Sequence, residues 1–224
     1  AKKKKIVISV TSAVVICVTV VLFCAYLIIQ STYHPIGSII KLGKYEQDNN
    51  TSNGSEDIEW IVLAKDIDKM LVISDKAIDC KPYNTSSANV TWETCSLRNW
   101  LNNDFINSAF SATEKTMISS VKVSADKNPD YDTDAGNDTE DKVFLLSIEE
   151  ANRYFKYDSE RRCKSTDYAV ANGAKGNYCS WWLRSPGAYQ SYATEVFSTG
   201  EIYTKGGGVG AIGAVRPAMW ISLT

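Results

Sequence analysis

Between Ile6 and Ile29 the chain carries no charge, and the only polar residues there are Ser9, Thr11, Ser12, Thr19 and Tyr26. At ~1.5 Å of rise per residue such a run makes a helix of about 36 Å, enough to cross a ~30 Å hydrocarbon core with some tilt. A cleaved signal peptide has a shorter apolar region and a small-x-small cleavage site. Phe23-Cys24-Ala25-Tyr26 offers no such site. Lys2, Lys3, Lys4 and Lys5 precede the run. Clustered lysines stay on the cytoplasmic side, so the rest of the chain is expected to face out. The expected organisation is a basic cytoplasmic tail over 1–5, a single transmembrane helix over 6–29, a short stalk over 30–37 and one extracellular domain over 38–224.

Charge narrows the partners of that domain. The chain has 24 Lys+Arg against 26 Asp+Glu; without the four leading lysines the balance is 20 against 26, or −6. Nucleic acid and anionic lipid reward net positive charge, so the domain is expected to bind neither. The only histidine, His34, falls in the stalk. No Ser-His-Asp or Cys-His arrangement, and no histidine-based metal centre, can therefore be built inside the domain. Cys80, Cys95, Cys163 and Cys179 follow the apolar run. In an oxidising compartment they read first as two disulfides, and proximity favours Cys80–Cys95 and Cys163–Cys179. Four free buried thiols are the alternative.

The domain alternates short strands with a few short helices. Strands are expected over 39–45, 60–64 and 70–74, with a polar loop over 47–57. Leu97, Trp100, Leu101 and Phe105 fall on one face of a helix over 94–104. Ser111 with Glu114, and Ser147 with Glu150, form capping-box patterns that open two more helices, the second after a buried strand over 143–146. Strand and loop fill the last third. A strand over 181–184 ends at Ser185-Pro186-Gly187, and a hairpin over 193–197 and 201–205 turns at Gly200 in the left-handed conformation. That register sets Val196 opposite Ile202, Glu195 opposite Tyr203 and Phe197 opposite Glu201. Pro217 in a last strand over 215–223 marks an edge or a bulge. The glycines at 206–208 lack the Lys-Ser or Lys-Thr of a phosphate cradle and read as a flexible surface loop.

Several segments taken together resemble a known family. They are Leu42-Gly43-Lys44-Tyr45-Glu46-Gln47, Thr91-Trp92-Glu93-Thr94-Cys95-Ser96-Leu97-Arg98-Asn99-Trp100-Leu101-Asn102, Gly136-Asn137-Asp138-Thr139-Glu140-Asp141-Lys142-Val143-Phe144-Leu145-Leu146-Ser147, Trp181-Trp182-Leu183-Arg184-Ser185-Pro186-Gly187 and Val215-Arg216-Pro217-Ala218-Met219-Trp220-Ile221. In this order they resemble a bacterial family of unknown function related to the C-type-lectin-like fold of the formylglycine-generating-enzyme and sulfatase-modifying group. The resemblance covers about residues 37–224. It implies an α+β, C-type-lectin-like mixed domain of short helices and antiparallel strands, whose early and late strands pair. It also implies a binding role. Some members resemble variable proteins of diversity-generating retroelements, which would put the ligand surface between Tyr178 and Gly213.

The residues themselves point to the same segment. Tyr and Trp offer large, stiff contact area with a polar tip, and their faces stack on sugar rings. Alternation puts Trp181 and Leu183 on the core face and Trp182 and Arg184 on the other. The candidate ligand-binding residues are Tyr178, Trp182, Tyr189, Gln190, Tyr192, Glu195, Phe197, Glu201, Tyr203 and Lys205. A second candidate is acidic. Asp130, Asp132, Asp134, Asp138 and Asp141 stand at positions 1, 3, 5, 9 and 12 of a calcium-loop-like spacing. Gly136 stands at 7 instead of 6, however, and position 12 is Asp. Calcium is the only cofactor this pattern would admit, and a solvated acidic loop is the plainer account. Arg98, Arg184 and Arg216, set in apolar motifs, are expected in buried ion pairs or on backbone carbonyls, with Asp141 a partner.

The expected function is a surface-displayed, adhesin-like binding module for an extracellular glycan or protein, and not an enzyme. Two alternatives stand beside it. One is a formylglycine-generating-type enzyme using Cys163 and Cys179. The other is an ectodomain that partners another membrane protein.

Overall fold

The computed structural model describes residues 34–223 together with Val18 and Val20, which are helical and exposed. The chain divides into two compact units, Ala1–Pro35 and Ile36–Thr224. The membrane helix expected over 6–29 lies, but for those two valines, outside the described residues. Among the described residues no helix is long and apolar enough to cross a membrane.

The second unit is an α+β domain. β1 (Ile39–Tyr45), β2 (Glu56–Lys65) and β3 (Lys69–Ser74) form a meander. β4 (Lys76–Ala77) and β5 (Asp79–Pro82) follow. Helix α1 (Ser96–Trp100) runs through a π-helical turn, Leu101–Phe105, into α2 (Ile106–Ala109). Leu97, Leu101 and Phe105 are buried along it, as their spacing predicts. α3 (Ala112–Met117) precedes β6 (Val121–Val123), β7 (Thr139–Asp141) and β8 (Val143–Phe144). Next come α4 (Ile148–Tyr154), α5 (Asp158–Arg161), β9 (Cys163–Ser165), α6 (Asp167–Ala171) and β10 (Tyr178–Cys179). The chain closes with β11 (Trp181–Pro186), β12 (Tyr192–Val196), β13 (Ile202–Gly208), β14 (Ile212–Val215) and β15 (Ala218–Ser222). Both capping boxes are present, Ser111 with Glu114 and Ser147 with Glu150.

Two five-stranded sheets organise the fold. The first has the order β1-β2-β3-β15-β8 and the second β13-β12-β11-β14-β5. β15 lies antiparallel between β3 and β8, so early and late strands do pair. The single last strand expected over 215–223 is two strands in two different sheets. Arg216-Pro217 makes the crossing, because proline has no N–H to continue a ladder. The Pro217 carbonyl instead accepts from Ser74 N at 2.9 Å.

Arg216 is 1% exposed and donates to the carbonyls of Ser74 at 3.0 Å and Arg161 at 3.3 Å. The Trp181 and Phe155 rings lie 5.1 and 5.4 Å from its guanidinium. Carbonyl dipoles and aromatic faces thus stand in for a counter-charge. Arg184 is held by Asp126 at 3.0 Å and by Glu150, and it donates to the Leu145 and Ser124 carbonyls. Arg98 pairs with Asp141 at 2.7 Å. All three arginines are therefore part of the frame.

Candidate functional site

The second sheet carries the candidate site. Its hairpin has the expected register, with Val196 opposite Ile202 and Glu195 opposite Tyr203. Phe197 N donates to Glu201 O at 2.8 Å. Gly200 has φ +92°, the left-handed turn that a side chain would strain. Glu195, Phe197 and Tyr203 share one face, and the Phe197 and Tyr203 rings stack at 4.6 Å.

Trp182 corrects an expectation. It is 2% exposed, and the whole of β11 is buried on both faces. β11 is the central strand, so alternation does not expose either side. The indole packs over Gly213, where an added Cβ would come within 2.5 Å of it, and its N–H donates to Lys81 O at 3.0 Å. The glycines 206–208 likewise belong to β13 and form no flexible loop. A Cβ on Gly207 would meet both Glu195 Oε1 at 3.2 Å and the Trp182 ring at 3.5 Å. Small residues here let the tryptophan lie flat against the strands.

Glu195 is the unusual member. Its carboxylate is half-buried beside Trp182, and among the described residues it has no hydrogen bond and no ion pair. Burial raises its pKa above the ordinary glutamate range. It borders a cavity of about 270 Å³ that it shares with Lys175, Cys179, Ser180, Ser198 and Ile212. Ser198 also borders an open depression of about 550 Å³ with Arg162, Asn177, Tyr178 and Thr199. There the Arg162 guanidinium stacks 3.7 Å over the Tyr178 ring. Arg162, Lys175, Ser198 and Ile212 were not legible as site residues, since three separate loops and the first residue of β14 bring them together.

The remaining candidates are dispersed. Tyr189 is 58% exposed and meets Tyr192 edge-on at 5.2 Å. Gln190 donates to the carbonyls of Val90 at 3.1 Å and Asp134 at 2.9 Å, so its amide ties loops together. Glu201 and Lys205 are exposed.

The five aspartates do not converge. Asp141 is buried and accepts from Trp92, Arg98 and Thr139. Asp138 pairs with Lys122 at 2.9 Å and accepts from Ala125 N. Asp134 accepts from Gly136 N, while Asp130 and Asp132 are exposed. Their spacing mimics a coordination loop, but the chain turns into β7 and carries Asp141 into the core. The carboxylates that do gather, with ligand atoms within 4.8 Å of one another, are Glu46, Asp48 and Glu56. Glu46 and Asp48 lie in the loop after β1 and Glu56 opens β2, a grouping that no spacing in the sequence marks.

The two expected disulfides are not formed: all four cysteines are free and buried. The Cys95 sulfur caps α1, accepting from Arg98 N at 3.4 Å. Burial raises the thiols of Cys95 and Cys80, each to about 12. Cys163 and Cys179 stand directly opposite on β9 and β10. A hydrogen bond from Cys163 lowers Cys179 to about 7 against the effect of burial, with help from the Ser165 hydroxyl and the Arg216 charge. Cys163 and Cys179 are thus direct cross-strand neighbours, while Cys80 lies on β5 and Cys95 at the start of α1.

Fold and face together define an α+β domain of mainly antiparallel sheets, with polar and aromatic side chains around two hollows beside the second sheet. The chain belongs to the family described as "Domain of unknown function (DUF6273)", whose model matches residues 67–223. Neither the curated proteins nor the solved structures contain a match to the chain.

Proposed function

We propose that this is a surface-displayed binding module, C-type-lectin-like in fold, that takes an extracellular glycan or protein ligand on the C-terminal sheet. The apolar run over 6–29 tethers it to the membrane with the domain outside. The observation that carries this reading is the stacked, half-exposed Phe197–Tyr203 ring pair on the β12–β13 hairpin, with the Arg162–Tyr178 stack and the edge-on Tyr189–Tyr192 pair as further aromatic contacts elsewhere in the C-terminal half. A ring packed against a neighbouring ring or guanidinium is held in place, so it presents contact area at little entropic cost on binding. The test is a glycan and surface-protein array probed with the full chain in lipid nanodiscs. Binding should be lost in Phe197→Ala/Tyr203→Ala and weakened in Tyr189→Ala/Tyr192→Ala. Binding that survives both double variants would move the ligand surface elsewhere.

One observation favours a second reading. Cys179 borders the same cavity as Glu195, opposite Cys163 and with a lowered pKa. Thiolate character of this kind suits nucleophilic or redox chemistry, as in a formylglycine-generating-type enzyme. Array binding retained by a folded Cys163→Ser/Cys179→Ser variant would remove thiols from the function.

A further inference from the structure

We propose that the cavity at Glu195 receives a cationic amine carried by the ligand. The inference rests on the binding-module reading and narrows its ligand to those that bear an ammonium group.

The other carboxylates built into the sheets and their caps show what is missing at Glu195. Asp79 accepts from the Tyr45 hydroxyl at 2.9 Å and from Asn172 at 3.1 Å, and pairs with Lys81 at 3.3 Å. Asp141 has Trp92, Arg98 and Thr139. Glu150 has Ser147 N and Arg184. Glu195 has none of these, though Trp182, Gly207 and Tyr203 wall it in on β11 and β13. A half-buried carboxylate without donors costs stability, and a donor from outside would offset that cost. The cavity of about 270 Å³ gives that donor a route in.

The lining selects the kind of donor. Ile212 and Ala214 offer apolar contact for a hydrocarbon stem or a ring face, while Ser180 and Ser198 border the same space with hydroxyls. An ammonium has three rotatable donors on a compact centre, which suits one carboxylate flanked by hydroxyl acceptors. Lys175 borders the cavity, is exposed, and among the described residues makes no ion pair. Its charge opposes an incoming cation, so Lys175→Ala should tighten amine binding.

The amine has two sources with the same chemistry, an amino sugar or a lysine side chain. The test titrates the full chain in nanodiscs and follows tryptophan fluorescence, with Trp182 beside the carboxylate as reporter. The cationic probes are glucosamine and Nα-acetyl-lysine amide. Their neutral controls are N-acetylglucosamine and Nα,Nε-diacetyl-lysine amide. Saturable binding is expected for one cationic probe, absent from its neutral control and weakened by about tenfold or more in Glu195→Gln. The probe that binds identifies the source. Equal binding by the neutral controls, equal affinity in Glu195→Gln, or no saturable binding of either cation overturns the proposal. Array binding that persists in Glu195→Gln but is lost in Phe197→Ala/Tyr203→Ala sinks the amine and leaves the module. Saturable amine binding with a silent array does the reverse.

Discussion

Asp141 and Glu195 both sit beside a tryptophan, and their circumstances are opposite. Asp141 is sealed in the core and accepts from the Trp92 indole at 2.9 Å, Arg98 at 2.7 Å and the Thr139 hydroxyl at 2.6 Å. Asn102 joins the same hub and also holds the Lys142 and Val143 amides. Glu195 is half-buried against Trp182, whose indole N–H is already spent on the Lys81 carbonyl. A carboxylate with every lone pair engaged belongs to the fold. One that is desolvated and left unengaged is where a fold keeps room for something else.

The sharpest way to break this comparison is at the hub. Asp141→Ala should cost about 3 kcal/mol or more in denaturant unfolding, because it strands Arg98 and the Trp92 indole together. A loss below about 1 kcal/mol would show that the hub is not structural. Next in size, Arg216→Met should cost about 2 kcal/mol, since two buried carbonyls lose their donor. A variant that keeps its stability but loses array binding would return Arg216 to the ligand surface.

The cysteines sharpen the comparison from another side. Mild oxidation should cross-link Cys163 to Cys179, which already face each other, and should not cross-link Cys80 to Cys95. Peptide mapping by mass spectrometry after thiol blocking reads this directly. A Cys80–Cys95 cross-link in the folded protein would contradict the placement of Cys95 as a helix cap.

The smallest effect is expected at Glu195. Its native pKa is raised, so the native state binds more protons than the unfolded chain between the ordinary glutamate value and the raised one. Stability from this group is complete at lower pH and falls as pH rises through that window. Glu195→Gln should flatten that part of the pH–Tm curve and leave stability above it equal or slightly higher. A Tm that drops in Glu195→Gln would mean the carboxylate has a partner within the protein.

Much of the fold was legible because it rests on local rules. Strand β1, both capping boxes and the Leu97-Leu101-Phe105 stripe follow from side-chain periodicity and from hydrogen bonds within one turn. The β12–β13 register follows from a short loop closed by Gly200. What failed were inferences about the far side of a strand. Trp182 alternates as a surface residue should, yet β14 and β13 bring Gly213 and Gly207 beneath its ring. The aspartate spacing is right for a coordination loop, yet pairing of β7 with β6 and the pull of Arg98 draw Asp141 inward.

By itself the sequence determined the uncharged run at 6–29, the exclusion of histidine chemistry from the domain, the α+β pattern and the aromatic character of the C-terminal segment. These depend on residue type and on neighbours a few positions away. Only the tertiary structure decided which carboxylates are satisfied, which thiols face each other and which aromatics remain at the surface. Each of those depends on donors and walls supplied from tens of residues away, as when Trp92 reaches Asp141 and Lys81 takes the indole of Trp182. No periodicity in a single strand or helix encodes such a meeting.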